Sequence, residues 1–174
     1  MQSVRILTLL ITLAPAFQAI AADSKPRPIA ARIVTVPSQS NADWRPVGNI
    51  SVTFSDHHHE MWTTTGHCLL PKVSDSGLVG WTFGATQHSR GGWMNTQLRI
   101  ARDRRVIARF NVSRAFIDFW DFADKDTCVV IRCVNAHGPS WIQKYRIDTG
   151  ELVAESSGSD DWAKPYADET QPGA

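Results

Sequence analysis

The chain has 174 residues, with 18 Lys or Arg against 17 Asp or Glu, so its formal net charge is +1. Nucleic-acid-binding proteins have a strongly basic surface, which a net charge this close to zero does not indicate. We therefore expect no nucleic-acid partner. The length suffices for one domain of ordinary core size, and two would be crowded.

The N-terminus has the three parts of a secretory signal peptide. Arg5 supplies a basic start, residues 6–13 form a short apolar core, and Ala19-Ile20-Ala21 fits a cleavage site that requires small residues. We therefore expect residues 1–21 to be removed on export, leaving a periplasmic or secreted protein. The apolar core is far shorter than the roughly 20 residues that cross a bilayer, so we expect no membrane span.

Short strands separated by turns follow, and no long segment has the 3.6-residue period of a helix. We predict a partly ordered N-terminal arm over 22–45, a single β domain over 46–156 and a flexible C-terminal tail over 157–174. Trp162 and Tyr166 of the tail could still dock on the domain. Strands are predicted at 33–36, 48–54, 78–83, 96–101, 106–110, 116–122, 128–133, 141–147 and 152–155.

Turn residues between these strands predict hairpins. Asp and Gly tolerate the backbone angles that reversing the chain requires, and they occur where the apolar runs end. The sequence therefore predicts an all-β, antiparallel fold. Turns are predicted at 75–77, 103–105, 124–126 and 148–150.

A weak internal repeat relates residues 70–79 to residues 119–128 at a spacing of 49. Each stretch has an apolar pair, an acidic turn and an apolar run, and the same spacing places Leu98 over Ile147. A period of about 40 to 50 residues that contains several short strands is typical of a β-propeller blade.

A resemblance to a known family is carried by a strand at 129–131, a His-Gly-Pro loop at 136–139 and a hairpin at 145–153. From Asp148 to Val153 this hairpin matches a D-x-x-T-G-x-x-V pattern with contracted spacing. The segment 70–155 resembles exported bacterial proteins with WD40-like or TolB-like propeller repeats. The resemblance implies blade-like hairpins. About two blades cannot close a ring that needs four or more, so we expect an open or sandwich-like partial propeller, or a protomer that closes by oligomerising.

Histidines and carboxylates cluster in Asp56-His57-His58-His59-Glu60, with His67 a few residues on. These are zinc-ligating residue types, and His57 and His59 share a face if the segment is extended. We consider His57, His59 and His67 candidate ligands, with zinc as the one candidate cofactor. The favoured interpretation is a polar loop that holds no metal, and so no cofactor, with a zinc site as the alternative.

Three cysteines, Cys68, Cys128 and Cys133, remain in the exported chain. One disulfide and one free thiol is the simplest arrangement in an oxidising compartment. Cys128 and Cys133 lie on opposite faces of one predicted strand, so Cys68 must take part, with Cys133 preferred over Cys128 as its partner. Three buried thiols are the alternative.

A partner-binding site is predicted in the connection between the strands that end at Phe83 and begin at Thr96. This connection is longer than a hairpin needs, and it contains Arg90 and Trp93, residue types enriched in binding hot spots. His137, in a second loop, is added as a third candidate. Three further tryptophans on predicted strands are assigned to the core: Trp81, Trp120 and Trp141.

No serine-nucleophile elbow, P-loop or dinucleotide-binding motif occurs, so an enzymatic role is disfavoured. The leading interpretation is an exported, non-enzymatic β module that binds another protein through end loops, such as an inhibitor or immunity-type partner of an exported enzyme. The alternatives are a zinc-binding protein or metal-dependent enzyme that uses residues 57–60, and a small-ligand or glycan binder.

Overall fold

The computed structural model describes residues 25–35, 48–64, 67–84, 86–87, 93–113, 115–135 and 138–167. The predicted signal peptide, residues 1–21, lies outside these ranges. The described backbone forms β1 Pro28–Thr35, β2 Gly48–Phe54, β3 His59–Thr63, β4 His67–Val73, β5 Val79–Gly84, β6 Thr86–Gln87, β7 Trp93–Met94, β8 Gln97–Arg102, β9 Arg105–Asn111, β10 Phe116–Ala123, β11 Cys128–Val134, β12 Ser140–Arg146, β13 Leu152–Ser156 and α1 Lys164–Ala167.

Three antiparallel sheets follow one another along the chain, and each is a meander of neighbouring strands. The first sheet has the order β1-β2-β3, the second β4-β5-β8-β9 and the third β10-β11-β12-β13. The short strands β6 and β7 pair separately as a two-stranded ribbon. The predicted all-β, antiparallel class is therefore confirmed, and none of the three sheets closes on itself.

The sheets stack face to face in chain order. One apolar core lies between the first and second sheets and another between the second and third. Strand β11 illustrates the pattern, because Val129 and Ile131 enter the core shared with the second sheet while Val130 faces the opposite side. This explains the apolar run 128–131 at the start of the strand, since both of its faces are buried there. The core between the first and second sheets contains Ile50, Val52, Phe54, Trp62, Cys68, Val79, Trp81 and Ala101.

The spacing of 49 residues relates the first two strands of the second sheet to those of the third. It carries β4 onto β10 and β5 onto β11 almost residue for residue. The relation fails further along: Leu98 lies in β8, whereas Ile147 follows the end of β12. The reason is the connection between the second and third strands, which spans residues 85–96 in the second sheet and only 135–139 in the third.

Two segments outside the predicted β domain pack on its sheets. Strand β1 begins at Pro28 within the expected arm and pairs with β2 as an integral part of the first sheet. At the other end, residues 157–167 of the expected flexible tail pack on the third sheet. Ala163 is fully buried there against Val130 and Ile142, and Trp162 and Tyr166 cover the same apolar surface.

The two ends of the stack differ in how the strands are joined. At one end, which we call the turn end, tight turns connect the strands, and these include all four predicted turns. Asp103 and Arg104 there form a two-residue hairpin with positive φ at both positions. The turn end comprises residues 55–58, 74–78, 103–104, 124–127 and 147–151.

The two longest connections, 36–47 and 85–96, leave the strands at the opposite end, which we call the loop end. A hydrogen bond joins the second and third sheets here, because Ile117 N donates to the carbonyl of Asn95 over 2.7 Å, while Val112 N extends the β8–β9 pairing by donating to the carbonyl of Thr96 over 2.9 Å. The loop end comprises the connections 36–47, 64–66, 85–96, 112–115 and 135–139.

None of the described helices is long and apolar enough to span a bilayer.

Candidate functional site

All three residues predicted to bind a partner belong to loop-end connections. Trp93 begins β7, where its backbone pairs with Gln87. Arg90 lies in the five-residue stretch 88–92 that joins β6 to β7, and His137 lies between the end of β11 and the start of β12. Arg90, His137 and the side chain of Trp93 are outside the described part of the structure, but the strand order assigns their connections to one end of the molecule.

The long connection between β5 and β8 continues their hairpin outward. The last pair of the second sheet on this side is Phe83 with Gln97, and the ribbon resumes with Thr86 opposite Met94. The extra length predicted to serve recognition therefore includes a regular two-stranded ribbon beyond the edge of the sheet.

Beside the root of this ribbon, the second sheet places two arginines directly opposite each other. Arg99 of β8 pairs with Arg109 of β9. A β-bulge between Ile100 and Ala101 creates this register, because an unbroken hairpin from the Arg102–Arg105 pair would set Ala108 opposite Arg99. The bulge thus brings two like charges together on one face.

The Arg99 side chain is held from two sides. Its guanidinium carbon lies 3.5 Å from the centroid of the Phe83 ring. Its Nε donates to Gln97 Oε1 over 2.5 Å, and Gln97 Nε2 in turn donates to Asn111 Oδ1 over 2.6 Å. Stacking on an aromatic face and a fixed hydrogen bond orient the planar guanidinium. We refer to Phe83, Gln97, Arg99, Arg109 and Asn111 as the arginine patch.

Within the described residues, no carboxylate forms an ion pair with Arg99 or Arg109. Burial lowers the pKa of Arg99 below its ordinary value, and the nearby charge of Arg109 lowers it further. Other cations do have carboxylate partners, among them Arg104 with Glu60 and Lys25 with Asp103 at the turn end. Among the residues that the structure describes, the positive charge of the arginine patch is therefore not balanced by a carboxylate.

An arginine has five N–H donors, and the Nε donor of Arg99 is engaged by Gln97. Its terminal nitrogens form no hydrogen bond to another described residue. Arg109, on the same face, is exposed. Such an arrangement can bind an acceptor group that carries negative charge, with Phe83 and Gln97 fixing the direction of approach.

The histidine-rich segment forms the β2–β3 hairpin instead of a loop. His57 adopts positive φ in the turn, and His59 begins β3, where its Nδ1 lies 3.0 Å from Thr53 Oγ1. His58 stacks on Phe54 with ring centroids 4.3 Å apart, and its Nδ1 lies 2.5 Å from a carboxylate oxygen of Asp56. The polar side chains of this turn are thus largely engaged with one another.

Glu60 of the same hairpin binds two neighbours. Arg104 Nε donates to its carboxylate over 2.9 Å, and Trp62 Nε1 donates over 3.0 Å. These hydrogen bonds lower the pKa of Glu60 to about 2. The carboxylate therefore links the first sheet to the turn between β8 and β9.

The proposed ligand set His57, His59 and His67 is not brought together. His57 and His59 lie at the turn end, whereas His67 begins β4 at the loop end. Strand β3 has five residues, so its two ends lie on the order of 13 Å apart. That distance is too long for His59 and His67 to bind one zinc ion, whose ligand bonds are about 2 Å long. No group of three or more metal-ligating side chains occurs among the described residues.

All three cysteines are buried free thiols. Cys68 belongs to the core between the first and second sheets, and Cys133 to the core between the second and third. The second sheet separates them, so the disulfide expected from the sequence is not formed in this structure. Burial raises the pKa of Cys133 to about 12, with Asp118 and Glu155 adding to the effect.

The tryptophans assigned to the core are largely buried. Trp120 is fully buried and donates through Nε1 to the carbonyl of Leu70 over 2.8 Å. Trp81 is buried in the core beneath the first sheet, and Trp141 is half-buried against the core of the third sheet.

No protein-family model matches the chain, and no curated protein matches its sequence. The resemblance to propeller repeats therefore stays a prediction.

Proposed function

We propose that this chain is an exported, non-enzymatic β module that binds another protein through its loop end. This is the function inferred from the sequence. The binding surface comprises the ribbon β6–β7, the adjoining connections and the arginine patch. An inhibitor or immunity-type role toward an exported enzyme is one form of this function.

The observation that carries the proposal is the charge of Arg99, which has no carboxylate partner among the described residues and is oriented by Phe83 and Gln97 at the root of the ribbon. An arginine stacked on an aromatic ring is a typical hot-spot element of a protein interface. The predicted residues Arg90, Trp93 and His137 belong to connections at the same end, which supports a single binding surface.

The turn end supports this assignment by contrast. Its turns are short, and several of its charges are paired within the molecule, as in Arg104 with Glu60 and Lys25 with Asp103. Ser76 N also donates to Asp126 Oδ2 over 2.7 Å, which ties the turns of two sheets together. Such an end serves the fold and leaves fewer groups for a partner.

Site-specific photo-crosslinking in the native host tests the proposal. A photoreactive amino acid is placed at the exposed loop-end positions Ser113 and Pro139, or at the matched exposed turn-end positions Lys125 and Thr149. We expect one protein, identified by mass spectrometry, to crosslink from the loop end and not from the turn end. Binding must then be reproduced with the purified protein.

Equal crosslinking from both ends, or crosslinking confined to the turn end, would show that the loop end is not the binding surface. Circular dichroism of each labelled variant checks that the substitution leaves the fold intact.

A further inference from the structure

We propose that the protein bound at the loop end presents an aspartate or glutamate carboxylate to Arg99 and Arg109. This inference rests on the proposed function and specifies the chemistry of its partner. It depends on the geometry of the arginine patch, on the charge balance of that patch, and on its limited size.

The geometry leaves one edge of Arg99 to a ligand. Phe83 covers one face of the guanidinium, and Gln97, itself fixed by Asn111, takes the Nε donor. The terminal nitrogens form the fork that matches the two oxygens of a carboxylate. Because the side chain is already ordered, binding costs little further conformational entropy.

The charge balance favours an anion at the same place. Arg99 and Arg109 are cross-strand neighbours, and like charges directly opposite each other destabilise a sheet. A carboxylate placed between them offsets this repulsion. The free protein thus retains an unfavourable pair that a bound anion relieves.

The limited size of the patch favours a single carboxylate on a protein over a polyanion. Two arginines and one aromatic ring form a point of recognition, whereas nucleic-acid binding requires a basic stripe along the surface. The amide groups of Gln97 and Asn111 border the arginines and can hydrogen-bond the backbone of a bound segment.

A second arginine pair on the same hairpin provides a matched control. Arg102 lies opposite Arg105, and both side chains are exposed. No aromatic ring stacks on either one among the described residues, so this pair has the charge of the arginine patch without its preorganisation.

The test measures binding of a blocked, glutamate-rich peptide to the purified protein by calorimetry, with a glutamine-matched peptide as reference. We expect Arg99→Gln and Arg109→Gln each to weaken binding of the glutamate peptide about tenfold, since a hydrogen bond to a charged group is lost. Arg102→Gln and Arg105→Gln should change it by less than about twofold. Arg99→Lys keeps the charge without the fork and should also weaken binding.

Three results would overturn the inference: no binding of the glutamate peptide, equal losses in the control pair, or inorganic phosphate binding at Arg99 as tightly as the peptide. Because Arg109 is exposed, its variant keeps the test valid even if Arg99→Gln fails to fold. The crosslinking experiment changes neither arginine. If a partner crosslinks from the loop end but the glutamate peptide does not bind, this inference alone is rejected. If the peptide binds but no partner crosslinks from the loop end, the proposed function is rejected.

Discussion

Gly80 lies directly beneath the indole ring of Trp120. A Cβ built on Gly80 would lie 2.3 Å from Trp120 Cη2 and 2.8 Å from Ile100 Cδ1. Since Gly80 belongs to the second sheet and Trp120 to the third, this contact sets how closely the two sheets approach. Because Gly80 has no side chain, the indole ring of Trp120 can pack against its backbone.

We expect Gly80→Ala to destabilise the protein by about 2 kcal/mol or more, because an added methyl group overpacks the core. Urea denaturation measures the change. The variant Trp120→Phe removes the ring atoms that clash, so the two substitutions together should cost less than the sum of their separate effects. Strict additivity would show that the contact does not govern the approach of the sheets.

The Asp118–Arg132 pair should contribute far more to stability than the neighbouring Asp121–Lys72 pair. Arg132 is nearly buried, and its guanidinium donates to both carboxylate oxygens of Asp118, with N–O distances of 3.0 to 3.1 Å. Asp118→Ala leaves that buried guanidinium without its carboxylate, which we expect to cost about 2 to 3 kcal/mol. Asp121→Ala removes a more exposed pair and should cost about 1 kcal/mol or less. Equal losses in denaturant titrations would contradict this assignment.

The wild-type protein should be more stable than its Glu60→Gln variant at neutral pH, and this difference in the free energy of unfolding should be smaller in acid. Hydrogen bonds from Arg104 and Trp62 lower its folded-state pKa from 4.5 to about 2. The contribution of a carboxylate with a depressed pKa is complete above the unfolded value and disappears as the pH falls through the folded value. The stability difference should therefore shrink between pH 4.5 and 2, as followed by denaturant titration. A difference that stays constant over this range would refute the interpretation.

The three cysteines should resist alkylation in the native protein. Burial raises the pKa of all three thiols, that of Cys133 to about 12, so little thiolate forms at mildly alkaline pH. Iodoacetamide should leave the folded protein unmodified and label three sites in guanidinium chloride. A non-reducing mass lower by two hydrogens, with a single labelled cysteine, would instead support the Cys68–Cys133 disulfide.

The turn end was largely predictable from the sequence, whereas the loop end was not. Asp103 and Gly150 adopt the positive φ that their residue types tolerate, so local chemistry alone located these turns. Strand β3 was missed because it includes part of the histidine run and reads as a polar segment. The sequence suggested that Trp162 and Tyr166 could dock but did not place residues 157–167 on the third sheet, because their few apolar side chains become significant only beside the exposed face of that sheet.

The arginine patch was beyond sequence reasoning for a definite reason. Arg99 and Arg109 meet only through the bulge between Ile100 and Ala101, and nothing in the local sequence specifies that one-residue shift. Phe83 reaches Arg99 from a third strand across a long connection. The sequence did, however, locate the ribbon beside the patch, because the length of the connection and its Arg90 and Trp93 suggested recognition.

Hydrogen–deuterium exchange with the crosslinked partner bound tests the central claim most directly, because it compares both ends of the molecule in one experiment. We expect slower exchange at 93–97 and 109–113 when the partner is added, with no change at 55–58 or 103–105. Protection confined to the turn end, or no protection at either end, would contradict the assignment of the loop end as the binding surface.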